Sequence, residues 1–468
     1  MNELLLPASA AKRAAPSSWL ASAALRFFGR RGAWAGLVWV GVLALAAVFS
    51  PFIATSFPYV WHEGGQTSYP VLAHLGPADV VLLLAFLFTA VLACFRRAPV
   101  LPRLGLWLWL VLAAIPAAGW KVWWSAAKQQ APVDFADGLV RSEQMTVAFY
   151  AGWLVAGVVL LAALALLFFF SKAGRGAKAA ALAAALAMGV FFALRPVHPP
   201  ENFDFSHYRV TQKAGKGEGV FAPIPYSPQD IQADLGKTAY AVPSRSHWMG
   251  ADANGCDLAS RMLHACRVSL SVGLISTVIA LFIGVVVGGL MGYFSGMADL
   301  LGMRLVEIFS AIPVLPILIM ICSFYERNIY LIMVILGLFG WVGYAVFIRA
   351  EFLRLRKTDY VEAARSVGAS TGRIMVRHML PSGITPLLTL APFGVAGAIM
   401  MESSLSFLGL GLKPENPSWG QNFEMAVKAG PEKWWLIIFP CAAVFLTVFA
   451  YNLVGEALRD ALDPKLSK

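Results

Sequence analysis

The chain has 468 residues, of which 59% are hydrophobic and only 13% charged, and its mean hydropathy is +0.68. Soluble domains have about 45–50% apolar and about 25% charged residues, and their interiors cannot bury this much apolar surface. The composition therefore excludes a cytosolic enzyme, a disordered chain and a secreted disulfide scaffold. It indicates a membrane protein with several spans, and we attribute the net charge of +11 to Lys and Arg that flank those spans.

Ten apolar segments are long enough to cross a bilayer, because a transmembrane helix needs about 20 apolar residues. A cytoplasmic N-terminus of residues 1–32 precedes the first span, and four further spans fall within residues 78–195. A polar stretch, 196–261, is rich in Pro and contains a glycine patch at 215–219, so we expect little regular structure there. The predicted spans are 33–54, 78–95, 104–124, 147–171, 178–195, 267–294, 301–323, 329–349, 383–410 and 434–456.

The distribution of basic residues predicts the orientation of these spans. Basic clusters precede the first span, lie between the second and third and between the fourth and fifth, and occur again within residues 349–381. Ten spans with the N-terminus inside place all of these clusters in the cytoplasm, as the positive-inside rule requires. The stretch 196–261 then lies outside the membrane, and the tail 459–468 is cytoplasmic.

One loop of this predicted cytoplasmic side, residues 350–381, has a recognisable helical pattern, and we call it the elbow. The run Tyr360-Val-Glu-Ala-Ala-Arg-Ser-Val-Gly368 has strong helix formers up to a glycine at which the chain can turn. A second short helix is expected after it, ended by Pro381 before the next span. Such an elbow suits insertion into a groove of another protein, and an amphipathic loop lying on the lipid surface is the alternative.

The elbow resembles the EAA loop of ABC-importer permeases. His378 stands where the general pattern has an aliphatic residue, and the run Arg377-His-Met-Leu-Pro381 resembles the peptide-importer branch of that family. Three further runs, 247–273, 402–420 and 452–464, resemble the family in the same order along residues 245–468. The likeness is to the C-type permease subunits of dipeptide, oligopeptide and nickel importers. The positions that match the EAA loop are Glu362, Ala363, Ala364, Gly368, Leu380 and Pro381.

The resemblance implies an all-α polytopic membrane protein of the bacterial inner membrane. Its type I ABC-importer transmembrane domain would occupy residues 262–458, with about five core spans plus the first N-terminal span. The segment 78–195 would be an insertion of about four spans, for which the family suggests no role. In the family the EAA loop is a coupling helix that docks on an ATPase subunit. The implied partners are a second permease subunit, two ATPase subunits that bind ATP and Mg, an external solute-binding protein and the lipid bilayer, with no nucleic acid.

Two positions depart from the family, since Ala251 and Cys256 stand where Thr and Arg are usual. An Arg–Asp pair in that segment is therefore in question. A stripe of glycines at every fourth position predicts close helix packing in lipid, either as a sliding or as a static interface. Pro313 and Pro316 predict a kink in the span 301–323. The stripe consists of Gly284, Gly288, Gly292 and Gly296.

No catalytic residues are expected, because the chain has no G-x-x-x-x-G-K-[ST] phosphate loop and none of the protease or hydrolase motifs. Its five cysteines show no CxxC spacing, so no metal site or bound cofactor is expected. Energy for transport must come from partner subunits or from an ion gradient. The sequence therefore predicts a permease subunit of an ATP-driven importer for peptides or related small solutes. An ion-coupled secondary transporter, or a membrane scaffold or enzyme based on the extra helices, remains as the alternative.

Overall fold

A computed structural model of the chain describes residues 19–75, 77–94, 205–236, 239–325, 329–412 and 417–462. The chain divides into two compact units, which we call the core unit (1–47 and 239–468) and the sheet unit (48–238). The predicted spans 104–124, 147–171 and 178–195 lie outside the described residues.

The described residues form mainly helices. In the first part of the chain these elements are α1 (Trp19–Phe28), α2 (Arg31–Ile53), β1 (Val60–Glu63), β2 (Gln66–Ser68), α3 (Pro70–Ala73), α4 (Pro77–Cys94), α5 (His207–Lys213), β3 (Gly217–Val220) and a 3₁₀ turn (Ala233–Leu235). In the second part they are α6 (Leu258–Phe294), α7 (Gly296–Ala311), α8 (Val314–Phe324), α9 (Ile329–Leu355), α10 (Asp359–Ser366), α11 (Thr371–Arg373), a π-helical segment (Ile374–Met379), α12 (Leu380–Leu388), α13 (Ala391–Phe407), α14 (Trp419–Ala429) and α15 (Trp434–Leu462).

Four helices of the described residues, α2, α6, α9 and α15, are long and apolar enough to cross a membrane. Two bent pairs raise the number to as many as six: α7 with α8, at 71°, and Thr371–Leu388 with α13, at 55°. Each of the six spans predicted at 33–54 and after residue 266 overlaps one of these helices or pairs. The α7–α8 bend falls at Pro313, where the sequence predicts a kink, because proline has no N–H for the helical ladder.

Pro381 does not end the second helix of the elbow, contrary to our expectation. The helical run continues from Thr371 to Leu388, and the π-helical segment lies directly before the proline. There the N–H of Leu380 donates to the carbonyl of Met375, five residues earlier. A proline ring clashes with the carbonyl four residues before it in an α-helix, and the wider π turn relieves this clash. The proline therefore changes the helix locally without terminating it.

The sheet unit contains a small antiparallel sheet with strand order β2-β1-β3, which the all-α prediction misses. Trp61 of β1 lies opposite Ser68 of β2 and Gly219 of β3. A Cβ on Gly217 or Gly219 would overlap the Trp61 ring, so these glycines, which we expected to be flexible, form a flat strand under a buried tryptophan. The pairing joins segments about 150 residues apart, and no local pattern reports it.

Candidate functional site

The first helix of the elbow, α10, ends in a Schellman motif. The N–H of Gly368 donates to the carbonyl of Arg365, at 3.0 Å, and the N–H of Ala369 donates to the carbonyl of Ala364, at 3.1 Å. Gly368 has φ +80°, a conformation that side-chain-bearing residues adopt at a cost. The predicted break at this glycine is therefore confirmed, and it has a defined hydrogen-bonded geometry.

The elbow is fixed to the membrane helices by its apolar side. Val361 of α10 and Ile374 and Met379 of the π-helical segment are at most 1% exposed, and they share one buried cluster with Phe352 and Leu355 at the end of α9. α12 approaches the same place, since a Cβ on Gly383 would lie 3.2 Å from the Phe352 ring. A displacement of the elbow must therefore move the ends of α9 and α12 with it.

The residues that carry the family resemblance divide between the two sides of the elbow. Ala364, His378 and Leu380 are half-buried, and Ala364 and Leu380 pack against the cluster just described. The exposed members are Glu362, Ala363, Gly368 and Pro381. The elbow thus presents its polar and small residues outward on a support built from its apolar ones.

Two polar contacts near the elbow are not predicted by the sequence analysis. The guanidinium of Arg349 on α9 forms a two-bond ion pair with Asp299 on α7, with 2.7 Å between Nη2 and Oδ2. Nη1 of Arg356 donates to the carbonyl of Tyr293 at the end of α6, at 3.2 Å. The sequence does indicate that Asp299 has a partner, because it is an isolated charge at the start of an apolar run and such charges are usually paired.

Three of the four glycines in the predicted stripe lie where α6 meets α9. A Cβ on Gly284 would lie 2.6 Å from Tyr344 Cβ, and one on Gly292 would lie 2.6 Å from the carbonyl oxygen of Arg349. A Cβ on Gly288 would overlap the backbone of Ala345. Gly296 lies elsewhere: it has φ +57° at the α6–α7 turn and no atom near its Cβ position, so its role is a turn and not helix packing.

A buried polar network lies in the segment before α6. Asp257 caps α6 by accepting from the Ser260 N–H, at 2.9 Å, while its other oxygen contacts His247 Nδ1, at 2.9 Å. Asp252 Oδ1 accepts from the N–H groups of Asn254 and Cys256, both at 2.9 Å. The helix consequently starts at Leu258, nine residues before the predicted span.

Arg261 connects this segment to α14. Its Nε lies 3.6 Å from Asp252 Oδ2 and donates to Asn422 Oδ1 at 3.1 Å, and its Nη2 donates to Gln421 Oε1 at 3.2 Å. Burial raises the pKa of Asp252. Arg261 and the backbone N–H groups of Cys256, Asn254 and Gly255 oppose this effect. Arg261 therefore places a guanidinium beside Asp252, a contact that is not predicted from the sequence.

A cavity of about 580 Å³ lies between α13, α14 and α15. Its walls are largely aromatic, with Phe407, Phe423 and Phe445 among them, and its polar residues include Ser404 and Asn452. Such walls offer packing surface and few hydrogen bonds, so we assign no polar solute to this cavity.

Comparison with known families and relatives agrees with this architecture. Residues 284–468 match the family described as binding-protein-dependent transport system inner membrane component. Residues 18–77 match the N-terminal TM domain of oligopeptide transport permease C. Both matches fall on parts of the chain outside the segment 78–195.

Several relatives share the permease region. The inner membrane ABC transporter permease protein YejE of Escherichia coli (strain K12) is 38% identical over 245 residues, which are 52% of this chain and 72% of the relative. The glutathione transport system permease protein GsiD of Pectobacterium atrosepticum is 37% identical over 224 residues, 48% of this chain and 74% of the relative. The oligopeptide transport system permease protein OppC of Bacillus subtilis is 33% identical over 249 residues, 53% of this chain and 81% of the relative.

The apolar helices, the two bent pairs and the elbow define a polytopic membrane permease. The chain belongs to the family of inner-membrane components of binding-protein-dependent transport systems, the permeases of ABC importers. It is accordingly the membrane component of such an importer and not its ATPase, as the sequence analysis predicts.

Proposed function

We propose that this permease carries peptides or related small solutes and is driven by separate ATPase subunits that act on the elbow. The relatives support the cargo class, since two of them are named for oligopeptide and glutathione transport. The observation that supports the coupling is the construction of the elbow. A Schellman-ended helix and a π-helical segment are held on the ends of α9 and α12 by fully buried side chains.

The proposed mechanism transmits a displacement from the elbow into the membrane helices. ATP and Mg bind to the two ATPase subunits, and closure of these subunits pulls on the elbow. The movement passes through Phe352 to α9, and α9 lies against the glycines of α6 with backbone in contact with backbone. Such a seam of small residues lets two helices shift as rigid bodies. A second permease subunit forms the other half of the path, and an external binding protein delivers the solute.

The orientation in this proposal places both termini and the elbow in the cytoplasm. The exposed side of the elbow carries Lys357, Arg365, Arg373 and Arg377, as the positive-inside rule expects of a cytoplasmic loop. The stretch 196–261 then lies on the outer side, where the binding protein would arrive. Reagents that modify lysine from one side of sealed vesicles test this orientation.

Replacement of Gly368 by valine is expected to uncouple ATP hydrolysis from uptake. A β-branched residue at φ +80° strains the Schellman motif by about 1–2 kcal/mol. This lowers the preference for the native turn over other conformations about 5- to 30-fold, and we expect uptake to fall with it. The measurement is ATP hydrolysis and solute uptake by the complete importer in proteoliposomes. Gly372→Val is the matched control, because Gly372 lies in the same elbow with ordinary φ and nothing within 4 Å of its Cβ position. Wild-type uptake by Gly368→Val would contradict the proposed role.

We further propose that the insertion at 78–195 is accessory to the transport core. The two chain segments that flank it meet on one side chain of the sheet unit, Phe57. The His74 ring stacks on Phe57 with 4.0 Å between centroids, and the rings of Phe205 and Tyr208 both lie 6.2 Å away. A short linker can therefore join the two flanking segments without disturbing the contacts of Phe57.

Deletion of residues 77–204, with a short Gly-Ser linker in their place, is expected to leave uptake above about half of the wild-type rate. The deletion removes an even number of predicted spans, so the later helices keep their orientation. It also uncovers Phe49, whose ring lies 5.2 Å from Phe86 of α4, so the deletion is combined with Phe49→Leu to limit aggregation. Uptake in proteoliposomes is measured for both versions. If both are folded and neither transports, the insertion belongs to the transport machinery.

A further inference from the structure

The tip of the elbow carries an apolar side chain that the fold leaves in solvent. Val367, directly before Gly368, is 89% exposed. A Schellman motif is usually accompanied by an apolar contact between the two positions that flank its turn, and here Ala364 and Ala369 supply that contact by packing against the buried cluster. Val367 is therefore not used by the motif itself, and the rigid turn projects it outward.

Three arginines of the elbow also lack partners among the described residues. Arg365, Arg373 and Arg377 are exposed, and no carboxylate of the described chain lies within 4.0 Å of them. Two other exposed arginines of the core unit do have carboxylate partners: Arg354 lies 2.8 Å from Glu351, and Arg304 lies 2.5 Å from Glu307. Exposed guanidinium groups recognise carboxylates through two parallel hydrogen bonds, so the elbow offers an unused binding capacity for acidic groups.

The distribution of apolar side chains in the elbow indicates that Val367 binds in a groove of a protein and does not lie on a lipid surface. A helix that lies on lipid turns a continuous apolar face outward. The elbow turns its apolar face inward instead, where Val361, Ile374 and Met379 are at most 1% exposed. A valine that projects from a rigid turn, with cationic side chains on the same elbow, fits a pocket with an acidic rim.

We propose that Val367 is the apolar anchor of the elbow in a groove of the ATPase subunit, and that Arg365, Arg373 and Arg377 select a groove with an acidic rim. The inference rests on the proposed function, in which the elbow meets an ATPase. It adds a specificity-determining residue at a position of the elbow that does not define the family motif, and it states the chemistry of the partner surface.

The test uses the full chain with its second permease in nanodiscs, and it follows maleimide labelling of Val367→Cys by mass spectrometry. Nanodiscs of neutral phosphatidylcholine and of phosphatidylcholine with anionic phosphatidylglycerol are compared, each with and without the ATPase subunits. We expect rapid labelling in both lipids without ATPase and labelling at least about tenfold slower with ATPase bound. Gly372→Cys on the same elbow is the matched control and is expected to be slowed less.

Charge and shape are tested separately by retention of the ATPase on the purified permease. Val367→Asp is expected to lower retention at least about tenfold, whereas Val376→Asp, at another exposed valine of the elbow, keeps it within about twofold. Reversal of the three arginines to glutamate is expected to lower retention and to invert its dependence on salt, because salt then screens a repulsion in place of an attraction.

The outcomes separate the two proposals. Slow labelling of Val367→Cys in anionic nanodiscs without ATPase would overturn the inference in favour of a lipid surface. A second outcome is that the wild-type permease retains the ATPase while Val367→Cys is labelled as rapidly with ATPase as without it and Val367→Asp retains as much ATPase as wild type. That result would overturn the role of Val367 as an anchor and leave the proposed function intact. Failure of the wild-type permease to retain any ATPase would overturn the proposed function itself.

Discussion

Replacement of Gly288 by alanine is expected to destabilise the core unit by about 1–3 kcal/mol. The added methyl group would overlap the backbone of Ala345, and neither backbone can move without separating α6 from α9 along the whole seam. Helix propensity alone predicts the opposite sign, because alanine is favoured over glycine by about 1 kcal/mol within a helix. Thermal unfolding of the detergent-solubilised permease, followed by size-exclusion chromatography, measures the change.

Gly343→Ala is the matched control for this substitution. Gly343 lies on α9, and no atom lies within 4 Å of its Cβ position, so we expect an unchanged or slightly higher unfolding temperature. Equal unfolding temperatures for the two variants would show that the seam is looser than its backbone contacts imply. A lower temperature for Gly288→Ala alone identifies close approach of the helices as the cause.

Replacement of Arg209 by methionine is expected to have the largest effect in the sheet unit, a loss of about 3–5 kcal/mol. Arg209 Nη1 lies 2.5 Å from Asp230 Oδ2, and its Nη2 lies 2.7 Å from Asp234 Oδ1. Their side chains are between 2% and 8% exposed, so the substitution leaves the buried Asp230 carboxylate without its arginine and Asp234 with only the exposed Lys213. Hydrogen exchange at the amides of β1 and β3 reports the free energy of opening.

Lys213→Met is the control for the arginine. Lys213 Nζ lies 3.4 Å from Asp234, but the side chain is 57% exposed, and such exposed pairs contribute less than about 1 kcal/mol. A comparable loss in both variants would mean that net charge, and not the buried pair, stabilises the unit.

The same ion pair predicts the response of the sheet unit to acid. Burial alone would raise the pKa of Asp234, but hydrogen bonds and charge from Arg209 and Lys213 outweigh burial and lower this pKa below 3.8. A lowered folded-state pKa contributes stability above the unfolded value, and that stability is lost as the pH falls through the folded value. The free energy of opening obtained from wild-type exchange should therefore fall below about pH 4, and Arg209→Met should lose most of this dependence.

The breaks in the elbow helices are predicted from neighbouring residues in one case and not in the other. Gly368 was predicted as a break because glycine occupies the left-handed position after a helix, and the Schellman hydrogen bonds confirm it. The prediction that Pro381 ends the second helix of the elbow is wrong for a related reason. Proline ends an α-helix by its local chemistry, whereas the buried side chains of Ile374 and Met379 hold this run helical through a π turn.

The glycine stripe shows the same limit. The fourfold spacing identified Gly284, Gly288 and Gly292, but spacing cannot tell whether the helix continues to Gly296, which lies in a turn. The guanidinium that serves Asp252 was also beyond prediction, because Arg261 reaches it together with Gln421 and Asn422, about 160 residues away in the chain.

The sequence by itself determined that this protein spans a membrane, where its breaks fall and which family it resembles, because composition, proline and glycine act locally. Only the tertiary structure decided which helices the glycines face, which arginine pairs with Asp252, and that Trp61 lies over two glycines in a sheet. The glycine contacts and the sheet join residues far apart in the chain, and Arg261 is oriented towards Asp252 by the distant Gln421 and Asn422. The free energy of such contacts comes from burial and pairing that no short stretch contains. The exposed arginines of the elbow depend on both: the sequence shows the arginines, and the described part of the fold places no carboxylate within 4.0 Å of them.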